Sequence, residues 1–288
     1  KPTIDMCEDY LVIYDKKGTQ IYIMTSQGLV SNIETTMTIE QVSIAAQGTV
    51  AVLMGDQSNS YLVVYDKNGK ELVNGAIYGE DGGYPIAIAL SNDAIKLAVS
   101  MLDINDGNVK TTIAFYNFGS VGENEIDRIV SANSFSDMVI PQLDFVSDDR
   151  MVAYGDSEIV IFEGTQKPKL AQEIPLTGEA KSIFNNNKYV GVVYSNNDEK
   201  LTHHVAVYDM HGFTVMEKDF SQEYTEIGFL SNNEVCILNE HSCDIYTVRG
   251  IYKFHYDFDE ELYKIISGGT GLNYTIILEN STEKVRLK

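Results

Sequence analysis

Hydrophobic residues in this chain cluster in short runs that end on an aromatic side chain, then an acidic or polar residue, then a turn. The clearest copies are Leu62, Val63, Val64, Tyr65 and Asp66 ahead of Lys67, Asn68 and Gly69, and Val205, Ala206, Val207, Tyr208 and Asp209 ahead of Met210, His211 and Gly212. A third is Ile113, Ala114, Phe115, Tyr116 and Asn117 ahead of Phe118 and Gly119. Looser copies lie at 21–25, 159–163, 245–247 and 285–287. A second pattern precedes each copy, a polar turn followed by a strand that is apolar almost throughout. Ser91, Asn92 and Asp93 precede 95–99; Ser147, Asp148 and Asp149 precede 151–154; Asn185, Asn186 and Asn187 precede 189–194; Ser231, Asn232 and Asn233 precede 235–238. Cys7, Glu8 and Asp9 before 10–14, Ala46, Gln47 and Gly48 before 50–54, and Gly268, Gly269 and Thr270 before 274–278 complete the set.

The spacing turns this pattern into a fold. Aligned on Met24, Tyr65, Tyr116, Phe162, Tyr208, Tyr246 and Arg286, the copies are separated by 41, 51, 46, 46, 38 and 40 residues, a mean of about 44, at the upper end of the ~40–45 of a four-stranded propeller blade. Strands apolar on both faces must be covered on both sides, which the inner strands of stacked blades achieve. Asn, Asp, Ser and Gly at the turns tolerate the left-handed or self-bonded backbone of a tight hairpin. No stretch carries a 3.6-residue apolar period with caps, so helix content is expected to be very low. The prediction is an all-β, single-domain, seven-bladed β-propeller of mostly four-stranded antiparallel blades. The blades fall near 1–37, 38–80, 84–132, 138–175, 179–221, 224–258 and 261–288. A pair of β-sandwiches is the competing architecture, but it supplies no reason for a repeat through the whole chain. The last blade has sequence for only three strands, at about 262–267, 274–278 and 284–287, because 2–6 is needed as the inner strand of the first blade. A three-stranded seventh blade is therefore expected, or one completed by residues upstream of Lys1.

Charge narrows the partners. Against 21 Lys and Arg stand 42 Asp and Glu, a formal net charge of -21, which opposes binding to nucleic-acid phosphates and to anionic lipid. No apolar run approaches the ~18–20 residues of a membrane span, and no basic start leads into an apolar stretch. The chain begins at Lys1 rather than Met, which fits a processed or trimmed product.

The turn, strand and Val-Tyr-Asp-x-x-Gly unit resembles the repeat of the WD40-like and quinoprotein-like propeller superfamily, over essentially the whole chain. The Trp-Asp dipeptide is missing, since the chain has no Trp. More narrowly, its Asn-, Tyr- and Asp-rich character is similar to a propeller family of unknown function from Gram-positive anaerobic bacteria, in which one transmembrane helix precedes an external propeller. That resemblance implies an extracytoplasmic, cell-surface domain anchored upstream of Lys1, and it carries over no functional residue.

Chemical motifs are sparse. The three cysteines, Cys7, Cys236 and Cys243, make an odd count that excludes a complete disulfide framework. A turn around 239–242 would bring Cys236 and Cys243 nearly opposite each other, within reach of a disulfide; two reduced, buried thiols are the alternative and the better-supported one. Glu8 and Asp9 beside Cys7 are expected to raise its thiol pKa. Of the five histidines, His203 and His204 point to opposite faces of one strand, so at most one can join His211 across a hairpin, and no metal site is expected. The run Asp103, Ile104, Asn105, Asp106, Gly107 and Asn108 has the flavour of a calcium loop, but its Gly falls one place early and the twelfth-position Glu is missing, so it reads as a hairpin turn. The glycines from Gly79 to Gly83 flank two acids that would repel phosphate and read as a linker. No nucleophile elbow or zinc-protease motif occurs.

The expected function is a non-catalytic binding, sensing or scaffold module that presents propeller-face loops to a protein, peptide or glycan. It is expected to act as a monomer, with no cofactor, no nucleic acid and no direct membrane contact by this segment. The alternative is a lactonase- or lyase-like propeller enzyme whose residues converge on the central channel from several blades and so leave no local motif.

Overall fold

The computed structural model describes residues 1–55, 59–77, 83–196, 200–268 and 271–286. Most of the Gly79 to Gly83 run, Gly269 and Thr270 of the last turn, and Leu287 lie outside the described residues. Every strand pairs antiparallel with its sequence neighbour, and the described residues form seven sheets and no α-helix.

The chain divides into two compact units, Lys1–Pro175 and Leu176–Lys288. The first holds four four-stranded sheets. These are β1 (Pro2–Cys7), β2 (Tyr10–Asp15), β3 (Gln20–Thr25) and β4 (Gly28–Glu34); then β5 (Thr38–Ile44), β6 (Val50–Gly55), β7 (Ser60–Tyr65) and β8 (Glu71–Ile77). They continue with β9 (Tyr84–Leu90), β10 (Lys96–Asn105), β11 (Asn108–Asn117) and β12 (Ile129–Ser136); and β13 (Gln142–Ser147), β14 (Arg150–Tyr154), β15 (Glu158–Glu163) and β16 (Lys169–Pro175). The second unit holds β17 (Ala180–Asn185), β18 (Tyr189–Ser195), β19 (His203–Asp209) and β20 (Thr214–Phe220); then β21 (Glu226–Phe229), β22 (Val235–Leu238), β23 (Ser242–Tyr246) and β24 (Tyr252–Asp257). Its last sheet has three strands among the described residues, β25 (Leu262–Ser267), β26 (Asn273–Leu278) and β27 (Thr282–Arg286).

Alternation along the second strand of each blade explains why it is apolar on both faces. In β6, Val50, Val52 and Met54 pack with Val12, Ile21 and Ile23 of the first blade, while Ala51 and Leu53 pack with Ile88, Leu97 and Val99 of the third. Successive side chains of one strand thus belong to two different inter-blade cores. Val63, Val99, Val193 and Ile237 are all buried in such layers, and Val152 is buried as well. Side chains then stitch neighbouring blades of the first unit: Gln41 of β5 both donates to the Ile88 carbonyl, at 3.1 Å, and accepts from the Ile88 amide, at 2.9 Å. Ser100 of β10 donates to the Ile140 carbonyl at 2.7 Å.

The repeat motif is turn chemistry. The Asp66 carboxylate accepts the Asn68 and Lys70 amides, both at 2.9 Å, and Asp209 accepts those of His211 and Phe213, at 2.9 and 3.0 Å. Gly69 and Gly212 close these turns at φ 81°, a left-handed backbone that favours glycine.

The third blade departs from the expected length. β10 and β11 are ten residues each, so pairing continues to Lys110 opposite Ser136, beyond the expected end at 132. Two 3-10 turns, Gly122–Asn124 and Ile126–Arg128, are inserted between β11 and β12. The long β10–β11 hairpin falls within the 51-residue step from Tyr65 to Tyr116, and the two turns fall within the following step of 46.

Candidate functional site

The insertion in the third blade shapes a groove in the first unit. β8 of the second blade forms one wall and β10, β11 and the Ile126–Arg128 turn form the other, enclosing about 470 Å³. Leu62, Val73, Met101, Tyr116 and Phe118 supply an apolar floor. Gly75 in β8 keeps the wall low, since a Cβ added there would meet nothing within 4 Å.

Polar groups gather at the rim. Asp127 (φ 52°) and Arg128 (φ 62°) are consecutive non-glycine residues in the left-handed region, an arrangement that costs on the order of 1 kcal/mol per residue and persists only where its surroundings hold it. The turn directs Arg128 back to donate a long hydrogen bond, 3.4 Å, to the Phe118 carbonyl. Asn74 and Asp127 complete the rim. Burial, and secondarily the Asp127 charge, pushes the Tyr116 hydroxyl above its ordinary pKa, so it stays a neutral donor and acceptor. An apolar floor with a few convergent polar groups is the ordinary composition of a ligand site. Sequence reasoning missed this groove; the turn that shapes it lies beyond Tyr116, in a step of 46 residues that is ordinary for the repeat.

The residues singled out in the sequence lie elsewhere. Cys236 and Cys243 are buried free thiols. The pairing sets Leu238 opposite Cys243 and Cys236 opposite Ile245, so the two cysteines are diagonal neighbours rather than opposite each other. Diagonal positions are typically ~7–8 Å apart, beyond the usual disulfide span. Burial pushes the Cys243 thiol to about 12 and the Cys236 thiol well above its ordinary value. Cys7 is likewise free and rises to about 11, through burial first and then Glu8, Asp5 and Asp148. Asp106 (φ 50°) and Gly107 (φ 81°) form the two-residue turn joining β10 to β11, the type I′ geometry of a tight hairpin.

His204 pairs with Asp219 at 2.6 Å, and His203 stacks on Phe220, with ring centroids 4.9 Å apart. His211 sits in the turn capped by Asp209. The structure therefore does not bring His211 together with either.

The family of unknown function described as DUF5711 matches residues 1–287. The chain belongs to that family. No curated protein matches this DUF5711 sequence. Among solved structures, BamB from Moraxella catarrhalis is similar at 13% identity and a TM-score of 0.53, over 99% of this chain and 82% of BamB. BBS1N in complex with ARL6DN is similar at 14% identity and 0.56, over 98% and 88%. The dihydro-heme d1 dehydrogenase NirN aligns at 9% identity and 0.58, over 93% and 57%. At these identities the likeness establishes the fold of the DUF5711 chain, a seven-bladed β-propeller of the WD40- and BamB-like kind.

Two further polar clusters in the DUF5711 propeller escaped sequence reasoning. Glu234, Lys253 and Tyr274 form a largely buried network in which the Lys253 ammonium contacts the Glu234 carboxylate, the Gly271 carbonyl at 2.6 Å and the Tyr274 hydroxyl at 2.7 Å. The Tyr274 hydroxyl in turn donates to Glu234 at 2.7 Å. The network ties the sixth blade to the seventh and engages all three donors of Lys253. His255 lies between Asp244 and Asp257, 3.1 Å from each, an exposed arrangement set by the β23–β24 register.

Proposed function

We propose that this DUF5711 propeller is a non-catalytic binding module that holds an extended segment of a partner protein in the groove between its second and third blades. The observation that carries the reading is the pairing of an apolar floor with a rim whose arginine sits on strained backbone. Strain of that kind is associated with binding and switch regions rather than with inert loops. The solved BBS1N–ARL6DN complex is a propeller relative in fold that meets a protein partner, which supports the partner class without identifying the partner. Peptides selected for binding to the purified protein from a display library test the site. Gly75→Val fills the open space above β8 with a residue suited to a strand, and it should weaken the selected peptides at least about tenfold, as should Arg128→Ala, with the thermal transition unchanged. Undiminished binding to both variants would move the site elsewhere.

The same reading places the module outside the cytoplasmic membrane, tethered by a segment upstream of Lys1 and working as a monomer. Its resemblance to anchored propellers of Gram-positive anaerobes supports this. Protease treatment of intact cells should remove the propeller; full protection, with cytosolic markers equally protected, would refute the placement.

A further inference from the structure

The seventh blade carries a second site, independent of the groove. β27 pairs with β26 on one side, and no strand among the described residues pairs with its other edge, where each of the other six sheets has a fourth strand. An open edge offers a row of backbone donors and acceptors to any extended chain.

Beside that edge lies a narrow slot of about 120 Å³ between β24 and the β26–β27 hairpin. Four of its walls are aromatic: Phe254, Tyr256, Phe258 and Tyr274. The rings pack in two pairs, Tyr256 with Phe258 at 4.7 Å and Phe254 with Tyr274 at 5.3 Å between centroids. Tyr274 and Phe258 are buried while Tyr256 is 58% exposed, so the slot has a fixed floor and an accessible lip. Glu283 and Val285, two apart on β27, face it. Glu283 has no hydrogen bond or ion pair among the described residues, so the slot's carboxylate is uncompensated.

The surroundings deepen that charge. Asp257, Asp259, Glu260 and Glu261 flank Phe258. The Glu279 amide donates to the Glu261 carbonyl at 2.9 Å, and the Asn280 amide to the Glu260 carboxylate at 3.1 Å, which draws the acids of two loops to the end of the slot where Glu283 lies. Aromatic faces ending on an unpaired carboxylate suit an alkylammonium group, whose stem packs on the rings and whose charge meets both the ring quadrupoles and the acid. This unit already uses that contact twice, each time with a lysine from a fourth strand: Lys218 of β20 lies 5.1 Å from the Tyr246 ring centre and Lys253 of β24 lies 5.4 Å from that of Tyr274.

We propose that the edge of β27 takes up an extended strand from a partner protein, and that a lysine of that strand enters the aromatic slot toward Glu283. Lys284 and Arg286 alternate to the opposite face of β27, so acidic residues on either side of the lysine complete the match. The probe is the capped heptapeptide Thr-Val-Glu-Lys-Glu-Val-Thr, titrated into the isotope-labelled protein and followed by amide and aromatic chemical shifts. Shifts should concentrate at β27, Tyr256 and Phe258. Norleucine in place of the lysine should weaken binding at least about tenfold, and so should N-methylation of alternate peptide amides. Glu283→Gln, on an exposed side chain, should cut the preference for lysine over norleucine about fivefold while leaving the norleucine peptide's affinity unchanged. Absence of binding at millimolar peptide, equal affinity for the norleucine peptide, or shifts centred on another blade would overturn the proposal. So would refusal of the peptide by the protein carrying any residues that flank this sequence, because those residues would then hold the edge.

Discussion

A thiol in this protein meets apolar walls and carboxylates, and both disfavour the thiolate. Cys7 near 11 and Cys243 near 12, with Cys236 higher than its ordinary value, all sit far above neutral pH. Since the thiolate is the nucleophile, alkylation of the folded protein by iodoacetamide at pH 7.5 should run at least about a hundredfold slower than that of a free cysteine, whose pKa is near 8.5. The rate at Cys7 should climb as pH rises toward 11; mass spectrometry of the labelled peptides measures it, and rapid labelling of any of the three would contradict the assigned burial. Val193 belongs to the layer between the fifth and sixth blades and is fully buried. Val193→Ala should cost about 1–3 kcal/mol, the usual range when buried methyl groups are removed from a packed layer, read from chemical denaturation.

At the scale of single elements, the turns and the strand edges set behaviour. Gly107 lies at φ 81° with open space around its would-be Cβ, whereas Gly75 has the same open space without the left-handed backbone. Gly107→Ala should therefore destabilise the protein by about 1 kcal/mol through backbone strain alone, while Gly75→Ala should be neutral or slightly stabilising because it narrows the unfolded ensemble. Equal effects would show that the turn is not held in the I′ geometry. In the seventh blade, β27 has an unpaired edge among the described residues, so hydrogen exchange should be fastest there of all the strands; uniform protection across the blades would mean that the edge is covered in solution. These elements were legible in the sequence because each hairpin announces itself locally, an apolar run closing on Tyr-Asp and a capped turn at Gly69 or Gly212. The cross-blade detail was not. Lys253 lies 18 residues from Gly271 and 21 from Tyr274, and the diagonal offset of Cys236 and Cys243 rests on which residues a short turn sets opposite each other. The groove depends on a left-handed pair at Asp127 and Arg128, of which the Asp tolerates that backbone but the Arg gives no warning of it.

For the whole molecule, the dominant field is negative. With 42 acids to 21 bases the formal charge is -21, and no described helix is long and apolar enough to cross a membrane. Much of the basic charge is already engaged: Lys17 with Glu40, Lys167 with Glu125, Lys264 with Glu226 and Arg150 with Glu163. Binding to DNA or RNA draws on release of counterions from phosphates neutralised by clustered Lys and Arg, which a chain with twice as many acids as bases opposes. The field should instead slow the approach of any polyanion and speed that of a cationic partner, an effect that fades as the Debye length shrinks from about 10 Å at 0.1 M salt toward 3 Å at 1 M. Fluorescence anisotropy with labelled duplex DNA and single-stranded RNA should accordingly show no binding at 0.15 M salt and none at 0.05 M, where an electrostatic affinity would be strongest. A sub-micromolar affinity for nucleic acid that weakens with salt would mean that a basic face exists which the charge balance of this chain does not supply.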